Sequence, residues 1–158
     1  MVVTMKRMIT VGIVGAIAAM VSLSVALGAP KTVAGAVNLV AAENGGSVVA
    51  VSSEARDRNG QVLPQWAAKN LIDGKYVVGN FVPPDSYGWS SDAPPTSENP
   101  QWIVFAFKDH QTRLINRIVI DPTTDDPPII GRWVRDVELQ VSTTKPDGPF
   151  KTVGRFIV

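Results

Sequence analysis

The chain contains no cysteine. That removes a disulfide framework, a thiol nucleophile and the cysteine-based zinc sites. It holds one histidine, His110, within Lys108-Asp109-His110-Gln111, which reads as an exposed polar turn between strands. A Ser-His-Asp triad would need that histidine beside a serine and an acid. No Gly-x-Ser-x-Gly elbow and no His-Glu-x-x-His run occurs. A charge excess of one sign is also lacking, with 15 Lys and Arg against 14 Asp and Glu in 158 residues. Electrostatic nucleic-acid binders need a basic excess to displace counterions, so that class is excluded. The adjacent Asp125-Asp126 pair is flanked by Pro127-Pro128 and reads as a solvated turn, not as a glycosidase pair. The inventory points away from an enzyme. The length fits one domain.

The N-terminus reads as an address. Lys6 and Arg7 precede a charge-free stretch over residues 8–29, and Pro30 and Lys31 end it. A basic start, an apolar middle and small residues at the end describe a secretory signal. Ala26-Leu27-Gly28 and Ala34-Gly35-Ala36 both fit a small-x-small cleavage site, and the second is preferred because Pro30 can break the helix before it. The apolar stretch is also about long enough to span a bilayer, so a retained anchor helix over residues 8–29 is the alternative. Either way residues 37–158 are expected outside the cytoplasm, secreted or tethered to the envelope. Removing Lys6, Arg7 and Lys31 from the 15 basic residues leaves 12 against 14 acidic ones, a net charge of −2. The working domain has nothing to steer it toward anionic polymers.

Residues 37–158 read as all-β. Residues 47–52 are a β-branched run. Residues 101–107, Gln-Trp-Ile-Val-Phe-Ala-Phe, are apolar on both faces, as in a strand buried on both sides, and place Trp102 in the core. Residues 114–120 form another apolar run. Residues 135–142 alternate, with Val137, Leu139 and Val141 on one face and Asp136, Glu138 and Gln140 on the other, as in a half-buried strand. Residues 150–158 are the fifth. Asn44-Gly45-Gly46 and Pro146-Asp147-Gly148-Pro149 supply turns, and only residues 65–71 look helical, for two turns at most. Residues 83–100 carry no strand of their own. Short strands punctuated by Pro and Gly argue for a sandwich or barrel.

From Asn38 onward the motif order becomes specific: Asn38-Leu39-Val40-Ala41, Ser52-Ser53, Trp66-Ala67-Ala68-Lys69-Asn70-Leu71-Ile72-Asp73-Gly74, Gly88-Trp89-Ser90-Ser91, Pro100-Gln101-Trp102-Ile103, Ile115-Asn116-Arg117-Ile118, and Arg132-Trp133-Val134-Arg135-Asp136-Val137. This order resembles the discoidin domain, also called the coagulation factor 5/8 type C domain, and the related galactose-binding-like carbohydrate-binding modules of bacteria. The resemblance implies a jelly-roll β-sandwich with ligands at one end, often a structural calcium, and no catalytic machinery. Such modules commonly bind glycans, and some bind lipid headgroups or proteins. Family members continue past the equivalent of Ile157-Val158 with closing strands and a calcium-site Glu, so the resemblance implies a domain lacking its last strands.

The same resemblance places calcium at Asn70-Leu71-Ile72-Asp73-Gly74, with the Asp73 carboxylate and the carbonyls of Asn70 and Lys75 as ligands. Calcium takes six to eight hard oxygens, many from turning backbone. The alternative at these residues is a plain turn closed by a left-handed glycine. Sugar sites need an aromatic platform for the C–H face of the ring and donors for its hydroxyls. Trp133 with Arg132, Trp66, and Arg56 beside Asp57-Arg58 offer these, whereas Trp89 reads as packing. The expected function is a non-catalytic extracytoplasmic module binding a glycan or other cell-surface ligand. Its alternatives are a structural or protein-interaction module of a larger envelope protein and an N-terminal accessory domain of an exported hydrolase.

Overall fold

The computed structural model describes residues 2–5, 11–14, 36–75, 88–120 and 136–157, the first two stretches as backbone. Its strands are β1 (Val2–Met5), β2 (Val11–Val14), β3 (Ser47–Val51), β4 (Gln101–Ala106), β5 (Asp136–Ser142) and β6 (Lys151–Ile157). Four short 3-10 turns, Ala42–Asn44, Pro64–Trp66, Ala68–Ile72 and Lys108–His110, are the helical structure among the described residues. The domain is all-β, and the two-turn helical segment expected near residue 65 is present as a pair of 3-10 turns.

Two antiparallel pairs carry the described core. β3 pairs with β4 from Ser47 opposite Ala106 to Val51 opposite Ile103, with a bulge between Val48 and Ala50 that turns Val49 outward. β5 pairs with β6 from Asp136 opposite Ile157 to Val141 opposite Lys151, with a register shift after Leu139. Lys145 closes this hairpin, accepting the Gly148 N–H at its carbonyl and pairing its ammonium with Asp147 at 2.9 Å. Gly154, opposite Leu139, lies under the Phe156 ring, where a Cβ would collide with ring carbons.

The core follows the hydrophobic pattern. Ile103, Phe105 and Phe107 meet Val137, Leu139 and Val141, joined by Ala68, Ile72, Trp89 and Ile115. Val104 and Ala106, on the other face of β4, are buried too, as expected for a strand apolar on both sides. β5 alternates as its sequence does, with Asp136, Glu138 and Gln140 half-buried.

Three expectations need correction. The run 114–120 forms no strand. Leu114 is 65% exposed, Ile115 is buried, and Ile118 and Ile120 pack on the core edge without a ladder. Some of its apolar side chains are used, but among the described residues its backbone meets no partner strand. Trp102 is half-buried rather than interior, near the start of β4, whereas Val104 and Ala106 further along the same face are buried. The helix expected over residues 8–29 is not formed at Val11–Val14, which is strand. β-branched Val11, Ile13 and Val14 suit extended backbone, and β2 runs parallel to β5 from Val11 opposite Leu139 to Val14 opposite Ser142. In the sheet order β3-β4-β1-β2-β5-β6, β1 and β2 stand between the two pairs. Residues 15–35 lie outside the described residues. No described helix is long and apolar enough to cross a membrane.

Candidate functional site

The end of β3 meets the start of β4, and polar side chains knit the loops there. Gln101 is 2% exposed. Its side-chain oxygen accepts hydrogen bonds from the Ser52 and Ser53 hydroxyls at 2.8 and 2.7 Å. Ser52 Oγ in turn accepts the Trp102 N–H at 2.9 Å, and Ser53 Oγ accepts the Asp92 N–H at 3.1 Å. Trp89 is buried and donates its indole N–H to the Ser53 carbonyl at 2.9 Å, which satisfies the polar edge of a core aromatic. It packs, as its sequence context suggested.

Arg56 and Trp66 rise from this platform. Arg56 forms a β-bridge with Val62, and Leu63 N–H bonds to the Ala55 carbonyl. Ala55 N–H reaches the Ser90 carbonyl, and Ser90 N–H reaches the Trp66 carbonyl at 3.1 Å. One backbone network therefore carries both residues. Arg56 is exposed, and its guanidinium donates to the Gly60 carbonyl at 2.6 Å. Asp57 tightens the same loop by accepting the Asn59 and Gln61 N–H groups. Trp66 is half-buried in its 3-10 turn. Arg132 and Trp133 lie outside the described residues, as does the Asp125-Asp126 pair, so of the four expected ligand-binding positions two, Arg56 and Trp66, are described, on segments joined through backbone hydrogen bonds.

The expected calcium segment is the second 3-10 turn and its exit. Asn70 is buried, and its amide donates to the carbonyls of Pro64 and Gly88 at 3.0 and 3.2 Å. This side chain ties the turn to the Gly88-Trp89 segment. Asp73 is exposed, and its Oδ1 accepts the Lys75 N–H at 2.8 Å across left-handed Gly74. That is an Asx turn. No group of three or more His, Asp or Glu side chains comes together among the described residues. Asp73 is the one carboxylate of the expected set, and calcium takes six to eight oxygens, so an ion here would draw most of its ligands from backbone carbonyls such as those of Asn70 and Lys75.

Three polar features escaped the sequence reading. Gln101 is one. Glu54 is another, since its Oε1 accepts the Ala68 N–H at 2.8 Å and caps the second 3-10 turn from another segment. The third is Glu138 on β5. Its carboxylate accepts Thr152 Oγ1 at 2.6 Å, Gln140 Nε2 at 2.7 Å and Arg155 Nε at 2.9 Å. Burial pushes the Glu138 pKa up, but the three hydrogen bonds and the Arg155 charge outweigh it and hold the group below its ordinary 4.5. A carboxyl with a depressed folded pKa adds stability that is present above the unfolded value and lost as pH falls through the folded one. Arg155 is well exposed, so solvent screening limits the pair to at most ~1 kcal/mol. Glu138→Gln is expected to lower the urea midpoint at about pH 7, and the gap to wild type should close as pH falls from the unfolded value of 4.5 through the lower folded one. An equal gap at neutral and acid pH would mean that the carboxylate charge contributes nothing.

His110 is exposed in the turn after β4, where it and Asp109 both adopt left-handed backbone, with φ of 54° and 55°. No family model, curated protein or solved structure matches this chain.

Proposed function

We propose that the chain is a non-catalytic, extracytoplasmic ligand-binding module of the discoidin-like, galactose-binding-like jelly-roll type, with carbohydrate as its ligand. The observation that carries this reading is the loop cluster at the β3–β4 end. There an exposed arginine and a half-buried tryptophan are held on one hydrogen-bonded platform. An aromatic and a cationic donor carried on one backbone network suit a sugar ring and its hydroxyls, and a rigid platform lowers the ordering cost of binding. The motif order from Asn38 to Val158 supports the fold type, and the basic start and charge-free stretch of the N-terminus support export.

One shallow site binds weakly, so avidity would matter. A glycan panel on the folded protein is expected to give a binder at about millimolar Kd. Trp66→Ala and Trp133→Ala should each weaken it by about tenfold, the ordinary consequence of truncating a tryptophan anchor. A flat panel from folded protein overturns the carbohydrate reading. It would favour the second one, a structural or protein-interaction module. β6 supports that alternative, since it is an edge strand with Val153 and Ile157 open to solvent.

A further inference from the structure

A groove of about 380 Å³ opens beside the turn that follows β4. Its walls are Val37, Leu39 and Phe107, and its polar rim is Asn44, Lys108 and Arg113. The volume falls in the range of ~300–1,000 Å³ typical of small-molecule clefts. It shares no residue with the Arg56–Trp66 cluster.

The groove is built on fixed parts. Phe107 is 2% exposed and belongs to the main core. The Asn44 amide donates to the Asn38 carbonyl at 2.9 Å, which ties the entering segment to the first 3-10 turn. Lys108 lies across Gly45, where φ is +83° and an added Cβ would stand 2.8 Å from Lys108 Cγ. The aliphatic stem is therefore packed while the residue remains exposed, as long cationic side chains permit. The chain then doubles back through left-handed Asp109 and His110, with His110 N–H on the Phe107 carbonyl and Gln111 N–H on the Lys108 carbonyl. That tight return sets Arg113 on the same groove as Lys108. Among the described residues no carboxylate pairs with either cation, although Lys145 and Arg155 elsewhere are both paired.

Two cations with no carboxylate partner among the described residues, set beside an apolar wall, are complementary to a molecule with an anionic head and an apolar body. We propose that this groove binds a free alkyl carboxylate, its head between Lys108 and Arg113 and its chain along Val37, Leu39 and Phe107. A soluble ligand is favoured over a lipid surface because the lining forms one open, ligand-sized concavity rather than a flat basic face. The proposal is independent of glycan binding, and failure of either leaves the other standing.

The test is calorimetric titration of the full chain with decanoate and with 1-decanol, each below its aggregation threshold. Decanoate is expected to bind at least about tenfold tighter than decanol. Lys108→Gln/Arg113→Gln removes both positive charges while keeping polar side chains with part of each aliphatic stem, and should bring decanoate down to the decanol level without changing decanol itself. Equal binding of the two probes, no binding of either, or unchanged decanoate binding by the double variant would overturn the proposal. Association with anionic phosphatidylglycerol vesicles in the absence of decanoate binding would overturn it in favour of a membrane surface.

Discussion

Phe105→Ala is expected to remove about 3–5 kcal/mol of unfolding free energy, the usual cost of deleting a buried phenylalanine. Phe105 sits in the middle of β4, is buried on the core face, and shares one cluster with the inward positions of β5. Its truncation leaves a cavity bounded by two sheet pairs that cannot both collapse into it. A domain of this size has only about 5–15 kcal/mol in total, so the loss is a large part of its stability. Urea unfolding followed by circular dichroism measures it as a fall in midpoint with little change in slope. Leu114→Ala is the matched control. Leu114 is solvent-exposed despite standing in a run as apolar as β4, so its truncation should stay within about 0.5 kcal/mol. A comparable loss at Leu114 would mean that the run 114–120 is a buried strand after all.

That contrast shows where periodicity informs and where it stops. β3, β4, β5 and β6 were legible because their burial depends on local pattern. A β-branched run, a run apolar on both faces and a strict two-residue alternation each reappear as the burial of the strand they encode. The β5–β6 hairpin was legible too, since Pro146-Asp147-Gly148-Pro149 restricts the backbone locally. Residues 114–120 have strand-like composition, but a strand also needs a partner with free N–H and C=O groups, and a partner is a non-local fact. The same limit applies to Val11-Gly12-Ile13-Val14. A short apolar run is compatible with helix or strand, and only the β5 edge beside it decides.

The candidate site divides along the same line. Trp89 was readable as packing from its Gly-Trp-Ser-Ser context, and Asp73-Gly74 as a turn from its chemistry. Gln101 and Glu54 were not. A glutamine opening a strand ordinarily faces water, and nothing adjacent to it announces burial. The two hydroxyls that donate to it lie 49 and 48 residues away, brought near by β3–β4 pairing. The available clue was Ser52-Ser53 standing immediately after one β-branched run and Gln101 immediately before another. An antiparallel pair of those runs sets the two groups side by side.

Gln101→Leu therefore tests whether that knot holds the loop platform. The substitution keeps much of the volume and adds apolar surface at a buried position, so a purely hydrophobic account expects little change or a gain. The hydrogen-bond account expects a loss of about 1–3 kcal/mol, because the Ser52 and Ser53 hydroxyls lose their common acceptor in a largely dry site. Ser52→Ala should cost a similar amount by a different route. It strands the Trp102 N–H, which has Ser52 Oγ as its partner at 2.9 Å, at the point where β4 begins. The double variant should cost clearly less than the sum of the two single ones, since the hydroxyl orphaned by Gln101→Leu is absent once Ser52 is alanine. Strict additivity in urea unfolding would show that the two residues act separately. The consequence for binding follows from the same geometry. Ser53 also receives the Asp92 N–H and, through its carbonyl, the Trp89 indole, so loosening Gln101 loosens the segment whose Ser90 fixes both Ala55 and Trp66. Gln101→Leu should thus weaken the proposed glycan binding without touching the ligand, and hydrogen exchange should rise first at the Ala55 and Ser90 amides, ahead of those within β4.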